Sequence, residues 1–198
     1  MSVTAASCRT ASVWSTTLTI YAGRARQIGP PGSLDRMEIR EATAAEHAEA
    51  GRVTANAYRG FVRDPSYLER IADVASRARR TTVLVAVEDG AIVGSLTLEI
   101  TRRVNEGDDP LEAHRAHIRM LGVAPGRQGR GIGTALMREA EARARAAGKT
   151  EITLHTTEPM TAARAMYAGL GYERGPDEVL PDGFVLLGYR RVLGADSD

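Results

Sequence analysis

Residues 128–137, QGRGIGTALM, place three glycines at the start of an amphipathic helix. Glycine inside a helix costs about 1 kcal/mol relative to alanine, so this clustering indicates that another group approaches the backbone closely. The first turn of a helix carries unpaired N–H groups and the positive end of the helix dipole, and both favour a bound phosphate. The segment therefore predicts a phosphate-binding turn between a strand and a helix.

The spacing of these glycines distinguishes the turn from two common nucleotide-binding motifs. Gly129, Gly131 and Gly133 alternate with other residues, whereas dinucleotide-binding folds use Gly-x-Gly-x-x-Gly and P-loops continue into Gly-Lys-Ser/Thr. Because the turn lacks Cβ atoms, successive N–H groups can line a concave anion site, and Arg127 and Arg130 add positive charge at its rim. A glycine-rich helix start without any ligand is the alternative interpretation.

Composition is typical of a soluble globular protein, with 43% hydrophobic and 26% charged residues, and 198 residues suffice for one domain. A net charge of +1 gives no field that would favour nucleic acid, and no apolar run approaches the roughly 20 residues that span a bilayer. We therefore expect neither a nucleic-acid nor a membrane partner. The single cysteine, Cys8, excludes an intrachain disulfide and fits a reducing compartment, so we expect a cytoplasmic protein.

The first 36 residues differ from the rest of the chain. They are rich in Ser, Thr, Ala and Arg and show no sustained hydrophobic periodicity. Hydroxyl residues interrupt the apolar stretch, which argues against a signal peptide, while a transit peptide is compositionally open. We expect residues 1–36 to be a disordered tail, or an upstream translation start with the true start at Met37. Residues 37–194 then form a single domain, and residues 195–198 form a C-terminal tail.

Local signals from Met37 onward predict a mixed α/β sheet with helices packed on it. Thr43 and Glu46 form a capping box, Asp64 and Pro65 start a second helix, and Asp89-Gly90 supplies the turn of a hairpin. The predicted order is β-α-α-β-β-β-α-β-α-β, with another short strand open near Tyr172. Predicted strands lie at 37–42, within 81–100 as a hairpin, and at 116–123, 151–155 and 184–192. The first predicted helix ends near residue 58, and a second begins at residue 64. Two further helices are predicted at 131–147 and 160–168.

The run Gln128-Gly-Arg-Gly-Ile-Gly133 resembles Gln/Arg-x-x-Gly-x-Gly/Ala, the pyrophosphate-binding signature of the GNAT superfamily of acetyltransferases, which use acetyl-CoA. The resemblance extends from about Glu38 to Val192. It includes AARAMYAGLGYER at 162–174, which is similar to the family's Ala-x-x-x-Tyr-x-x-x-Gly-Tyr/Phe helix and turn. The resemblance implies a mostly antiparallel sheet of about six to seven strands, about four flanking helices and splayed central strands.

The implied reaction is direct transfer of an acetyl group from the CoA thioester to an amine, so the protein would be an N-acetyltransferase and thus an acyltransferase. The resemblance implies that acetyl-CoA contacts the glycine-rich turn and the end of the preceding strand. A bulge is expected there, with which Gly122 is compatible, and a backbone N–H near Leu121 would polarise the thioester carbonyl. The implied cofactor-binding residues are Leu121, Gly122, Val123, Gln128, Gly129, Arg130, Gly131, Ile132, Gly133 and Thr134.

Three residues are candidates for proton transfer. Tyr167 occupies the family's frequent general-acid position, and a phenol with pKa ~10 is protonated at neutral pH. His117 is the first candidate for the base because histidine titrates near neutrality, although similar proteins often have a glutamate about there. Glu99, on the preceding strand, is the second candidate. The alternatives are a packing role for Tyr167 and a partly exposed polar position for His117. His155, near a strand end, is not favoured.

Substrate recognition is expected from the early helices and from the loops at 102–114 and 176–183. Tyr58, Phe61 and Tyr67 either wall a pocket or pack in the core. The acidic residues of the two loops either attract a cationic amine or only solvate the loops; they are Glu106, Asp108, Asp109, Asp177, Glu178 and Asp182.

Three hypotheses remain open at this stage. The acceptor is an amine on a small molecule, or it is a protein N-terminus or lysine, or the protein is a non-catalytic CoA-binding sensor. A homodimer would be unsurprising for such a protein. No group of His, Cys, Asp and Glu has metal-ligand spacing, so no metal is expected.

Overall fold

The computed structural model describes residues 37–62, 64–101 and 111–194. Three predictions therefore lie outside the described residues: the N-terminal tail, the C-terminal tail and the acidic cluster at 106–109. Within the described ranges, no helix is long and apolar enough to cross a membrane.

Eight strands and five α-helices make up the described part of the chain. The strands are β1 (Met37–Glu41), β2 (Thr82–Glu88), β3 (Ala91–Glu99), β4 (Arg115–Val123), β5 (Glu151–Thr156), β6 (Glu173–Arg174), β7 (Glu178–Val179) and β8 (Val185–Val192). The helices are α1 (His47–Tyr58), α2 (Pro65–Ala72), α3 (Val74–Arg77), α4 (Ile132–Ala146) and α5 (Thr161–Gly169), and a 3-10 turn (Ala44–Glu46) precedes α1.

The strands pair in the order β1-β2-β3-β4-β5-β8-β6, and β7 pairs with β8. Every pairing is antiparallel except that of β4 with β5. This confirms the mixed, mostly antiparallel sheet. The strand number exceeds the expected six to seven because β6 and β7 have two residues each, too short to show an alternating pattern in the sequence.

The local signals act as the sequence predicts, with one difference in the second helix. Thr43 and Glu46 form the capping box, and the Asp64 carboxylate accepts the Ser66 N–H at 2.9 Å. The second helix, predicted to begin at residue 64, ends at Ala72, and the carboxylate of Asp73 accepts the Ser76 N–H at 3.0 Å and so starts α3.

Two clusters of buried side chains cover the two faces of the sheet. The larger cluster packs α4 and α5 against the sheet through residues such as Leu136 and Met137 of α4 and Ile152 of β5. The smaller cluster packs α1 and α3 on the opposite face through Ala50, Val53 and Val74. Among the strands, α1 contacts mainly β3 and β4.

The parallel strands β4 and β5 separate part of the way along their length. Their pairing ends at Ile118 and Leu154, while β4 continues to Val123 beside β3, and β5 continues to Thr156 beside β8. A register shift between β3 and β4 places an extra residue in β4, where Met120 has a φ of +53°. The splayed central strands are therefore present, together with the expected bulge.

Gly122 does not supply the left-handed backbone of this bulge. Instead, a Cβ on Gly122 would lie 2.9 Å from the Cα of Thr54, so the missing side chain lets α1 sit directly on β4. The same explanation applies to Gly51 of α1, where a Cβ would lie 2.0 Å from the carbonyl oxygen of Ala72.

The close contact at Gly51 gives a prediction about stability. Replacing glycine by alanine within a helix ordinarily stabilises a protein by about 0.5–1 kcal/mol. Gly51→Ala should instead lower the free energy of unfolding by about 1–3 kcal/mol, because the new methyl group must displace α2. Gly60→Ala, with no atom within 4 Å of its Cβ, is the control. Urea denaturation measures both, and a stabilised Gly51→Ala variant would show that α1 and α2 are not in contact there.

Candidate active site

A groove of about 560 Å³ opens where β4 and β5 separate. Its floor is formed by the ends of these strands, and its walls are the start of α4, the start and middle of α5, and the C-terminal end of α1. The residues that line it include Tyr58, Phe61, Leu121, Gly122, Val123, Arg127, Gln128, Gly129, Gly131, Ile132, Gly133, Thr134, His155, Thr156, Met160 and Tyr167.

The glycine-rich turn forms one end of this groove with an unusual backbone. Gly129 and Gly131 have φ values of +76° and +82°, and a Cβ on either would point into open space rather than into protein. Gly131 is the residue before α4, and no side chain caps the helix there. The first turn of α4 contains no acidic residue either. The positive end of the helix is therefore available to an anion in the groove.

Gly133 has a different reason to lack a side chain. It lies within the first turn of α4, and a Cβ there would be 3.1 Å from Sδ of Met166 in α5. The residue therefore permits close packing of α4 on α5 at the wall of the groove.

The side chains around the turn hold it against the sheet. The Gln128 side-chain amide donates to the Val123 carbonyl at 3.3 Å, which ties the turn to the end of β4. Glu88, a buried residue at the end of β2, binds both arginines of the turn. Arg130 donates to Glu88 Oε1 at 2.8 Å, and Arg127 donates to Glu88 Oε2. Because one carboxylate is shared between two guanidinium groups, the cluster keeps a net positive charge beside the groove.

The structure brings together nearly all of the residues predicted to bind the cofactor. The predicted positions on the end of β4 and from Gln128 to Thr134 line the groove, with Arg130 as the exception. Arg130 points instead to Glu88, 42 positions earlier in the chain, a contact that the local motif could not predict.

Tyr167 lies on α5 and lines the groove although its ring is largely buried. The ring contacts those of Tyr172 and Tyr189, with centroids 6.0 and 5.8 Å away. Burial raises the pKa of Tyr167 above its ordinary value, so its hydroxyl stays protonated at neutral pH. This side chain therefore packs against two other tyrosines and also borders the groove.

His117 and Glu99 lie close together but do not line the groove. They are paired positions on β4 and β3, and both are buried. Glu99 forms an ion pair with Arg119, whose Nε lies 3.0 Å from Glu99 Oε1. The Nδ1 atom of His117 lies 2.7 Å from Oγ1 of Thr153 on β5. Burial, with smaller contributions from Arg119 and His155, lowers the pKa of His117 to about 3.

His155 is the histidine that the structure places at the groove, and sequence reasoning did not favour it. It follows Thr153 by two positions on β5, so both side chains share a face with His117. Its ring centroid lies 5.3 Å from that of His117, and its Nδ1 lies 3.5 Å from Oε2 of Glu178 in β7. Alternation along β5 is enough to place the Thr153 and His155 side chains on one face. It does not show where β4 and β5 separate, so it could not place His155 at the groove.

The expected acidic loop at 176–183 has a mostly structural role. Asp177 accepts the Gly188 N–H at 3.1 Å and an Arg174 N–H at 2.6 Å, and Asp182 accepts the Phe184 N–H at 3.0 Å. Of these three acids, Glu178 is the one that forms an ion pair with a residue lining the groove, His155. Of the three predicted aromatic residues, Tyr58 and Phe61 line the groove and Tyr67 does not.

No group of three or more His, Cys, Asp or Glu side chains within residues 37–62, 64–101 and 111–194 is arranged to hold a metal ion.

The described groove offers a positively polarised helix start, an unpaired strand edge, a protonated phenol and an imidazole.

A family model and a curated relative match this chain. The model of the Acetyltransferase (GNAT) family matches residues 47–172. The mycothiol acetyltransferase of Nocardia farcinica is 33% identical over 158 residues, covering 69% of this chain and 48% of that protein. The chain thus spans about half the length of this curated relative.

Solved structures show the same fold. The Salmonella typhimurium protein yncA, solved with acetyl-CoA, has a TM-score of 0.60 and 19% identity, covering 82% of this chain and 97% of that chain. A GNAT family acetyltransferase from Brucella melitensis, in complex with acetyl-CoA, has a TM-score of 0.54 and 28% identity, covering 76% and 94%. From the family match and the curated relative together, this chain belongs to the GNAT family of acetyltransferases.

Proposed function

We propose that this protein is an N-acetyltransferase that moves the acetyl group of acetyl-CoA directly to an amine of a small molecule. The observation that carries the proposal is the glycine-rich start of α4, which is uncapped and opens into the groove between β4 and β5.

The groove fits acetyl-CoA in three respects. The left-handed glycines leave the N-terminal N–H groups of α4 open to a pyrophosphate, where a Cβ at Gly131 would intrude. Arg127 adds positive charge on the same wall. The edge of β4 beyond Ile118, no longer paired with β5, offers backbone groups to an extended pantetheine arm. The Salmonella and Brucella relatives were both solved with acetyl-CoA, which supports this assignment.

Acetyl-CoA supplies an acetyl group activated as a thioester. The residues of the chain that would hold it are the predicted set: Leu121, Gly122, Val123, Gln128, Gly129, Arg130, Gly131, Ile132, Gly133 and Thr134. Four of these ten residues are glycines, which can offer only backbone atoms. Arg130 belongs to the set through Glu88, because that carboxylate fixes the arginine beside the turn.

Tyr167 is proposed as the acid that protonates the departing thiolate. Its place on the groove wall and its protonated state support this role. His117 and Glu99 are proposed as members of the proton-accepting side of the site. Both are buried behind the groove wall, so they act through a group that lies at the surface of the groove.

A small-molecule acceptor is favoured over a protein. The curated relative is named a mycothiol acetyltransferase, and mycothiol is a small molecule. Tyr58 and Phe61 form an aromatic wall beside Tyr167, which suits a compact acceptor better than an extended peptide. A protein N-terminal or lysine acetyltransferase and a non-catalytic CoA-binding sensor are the other two candidates.

One experiment separates these candidates. Acetyl-CoA binding is measured by calorimetry, and thiol release is then followed with amino-acid methyl esters, glucosamine, spermidine and short peptides. Binding with release that depends on a small amine supports the proposal. Release only with peptides favours the protein acetyltransferase, binding without release favours the sensor, and absence of binding rejects acetyl-CoA as the ligand.

The glycine at the start of α4 gives a prediction about binding. Gly131→Ala should weaken acetyl-CoA binding by at least about tenfold, or about 1.4 kcal/mol, because the methyl group enters the space proposed for the pyrophosphate. Gly148→Ala is a matched control: its φ is +73°, its Cβ also meets open space, and it lies at the far end of α4. Calorimetry measures the affinity of both variants for acetyl-CoA. Equal losses would mean that backbone strain, not the ligand, explains the effect.

The phenol at the groove gives a second prediction. Tyr167→Phe should reduce kcat by about 100-fold where chemistry limits the rate, with little change in the KM for acetyl-CoA, because the acid is lost and the ring remains. Tyr172→Phe serves as the control, since Tyr172 is buried beside Tyr167 but does not line the groove. Steady-state kinetics measures both. A Tyr167→Phe enzyme with an unchanged kcat would remove this residue from the mechanism.

The burial of His117 predicts a pH dependence of stability. The unfolded histidine takes up a proton below about pH 6.5, whereas the folded one stays neutral down to about pH 3. Its contribution to stability is therefore present above pH 6.5 and is lost as the pH falls. Between pH 7.5 and 5.0 the wild type should lose about 2 kcal/mol more unfolding free energy than His117→Asn, which keeps a donor near the Nδ1 position. Urea denaturation at the two pH values measures the free energy of unfolding of both proteins. Equal losses in the wild type and in His117→Asn would show that the pKa of His117 is not lowered in the folded protein.

A further inference from the structure

The groove contains one imidazole, that of His155, among the residues that the structure describes. His155 lies one residue before the end of β5, beyond the last pair between β4 and β5. Its side chain is 32% exposed, so a small molecule in the groove can reach it. It lines the same groove as Thr156 and Tyr167, and it is thus on the substrate-accessible side of the site.

Glu178 is the carboxylate that lies beside this imidazole. Its Oε2 lies 3.5 Å from Nδ1 of His155, and its side chain is 50% exposed. Asp177 is the neighbouring acid, but its carboxylate already holds Arg174 and the Gly188 N–H. A carboxylate beside Nδ1 favours the tautomer with a proton on Nδ1, which leaves the lone pair of Nε2 free to accept a proton.

Burial, with smaller contributions from Arg119 and His155, keeps the neighbouring imidazole of His117 neutral. The Nδ1 atom of His117 lies 2.7 Å from Oγ1 of Thr153, which itself lies 3.3 Å from the Ala116 carbonyl oxygen. The ring of His117 lies 5.3 Å from that of His155. A proton taken up at the groove therefore stays on His155, because burial lowers the pKa of His117 to about 3.

We propose that His155 is the catalytic base that takes the proton from the acceptor ammonium, and that Glu178 is the positioning residue that orients it. This inference rests on the proposed function, because it assumes acetyl transfer to an amine. His117, proposed above on the proton-accepting side, then acts through His155.

The proton balance assigns one role to each titratable group. The ammonium gives its first proton to Nε2 of His155, and the free amine attacks the thioester carbon as the C–S bond breaks. The thiolate takes the phenolic proton of Tyr167, and the second proton of the nitrogen returns to the phenolate. One proton remains on His155 and leaves to solvent through its exposed edge, so each turnover yields amide, thiol and one proton.

The charges around His155 set the pH range in which it can act. Burial lowers the pKa of His155, and Arg119 lowers it further, while Glu178 and Asp177 raise it. His117, the other titratable group in contact, is neutral. The net shift is downward, so His155 is unprotonated at neutral pH, as a base must be.

The test compares the pH profiles of kcat/KM for the amine in four variants. In the wild type, kcat/KM should rise to a plateau below pH 6.5 and stay level until the amine itself loses its proton. His155→Gln should lack the plateau and rise tenfold per pH unit with the free-amine fraction, with a deficit of about 100-fold at pH 7. Glu178→Gln should keep the plateau but reach it at a lower pH, because Glu178 raises the pKa of His155.

Two further variants serve as comparisons. His114→Gln is the matched control, because the Nδ1 of His114 lies 3.4 Å from Glu112 in a similar pair that does not line the groove. It should behave as the wild type does. His117→Asn should keep the plateau. If His117→Asn loses the plateau while His155→Gln keeps it, then His117 is the base and the inference is wrong.

A measurement without turnover separates this inference from the proposed function. NMR titration of the imidazole resonances in the free protein should give His155 a pKa below its ordinary value, and Glu178→Gln should lower it further. If the pKa of His155 is the same in Glu178→Gln as in the wild type, the pairing on which the inference rests is wrong. A wild-type protein that binds acetyl-CoA but acetylates no amine would count against the proposed function, and the titration would still judge the pair.

Discussion

The separation of β4 from β5 is the constraint on which the rest of the site depends. Two parallel strands normally stay paired, yet here the pairing stops at Ile118 because an extra residue in β4, with Met120 in a left-handed conformation, turns the strand away. The split exposes an unpaired strand edge in the middle of the sheet. It also sets the width of the groove, brings the start of α4 to one end of it and leaves His155 at its surface.

The glycines serve this arrangement in different ways. Gly129 and Gly131 permit a backbone that presents N–H groups to the groove, whereas Gly122 and Gly133 let helices approach the strand and each other closely. Within the cluster at 129–133, two glycines thus open the proposed anion site and the third permits close packing. Glu88 holds two arginines, Arg127 and Arg130, with a single carboxylate. Net positive charge therefore remains at the proposed phosphate site.

Much of this could be predicted from the sequence because the signals were local. The capping box at Thr43, the Asp89-Gly90 turn and the glycine-rich helix start each depend on a few neighbouring residues. The position of His155 at the groove could not be predicted, since it depends on where β4 and β5 separate. The partner of Arg130 lies 42 residues away, and the burial of His117 depends on how Thr153 and His155 cover it. Such properties arise from tertiary contacts that periodicity does not encode.

The central claim is that the split between β4 and β5, together with the start of α4, forms the binding site for acetyl-CoA. The most direct test is a backbone amide NMR titration of the full chain with acetyl-CoA. The account predicts that the largest shifts fall on residues 129–134 and 121–123, with protection of their N–H groups from hydrogen exchange. Shifts confined to other parts of the protein, or no shifts at saturating acetyl-CoA, would contradict it.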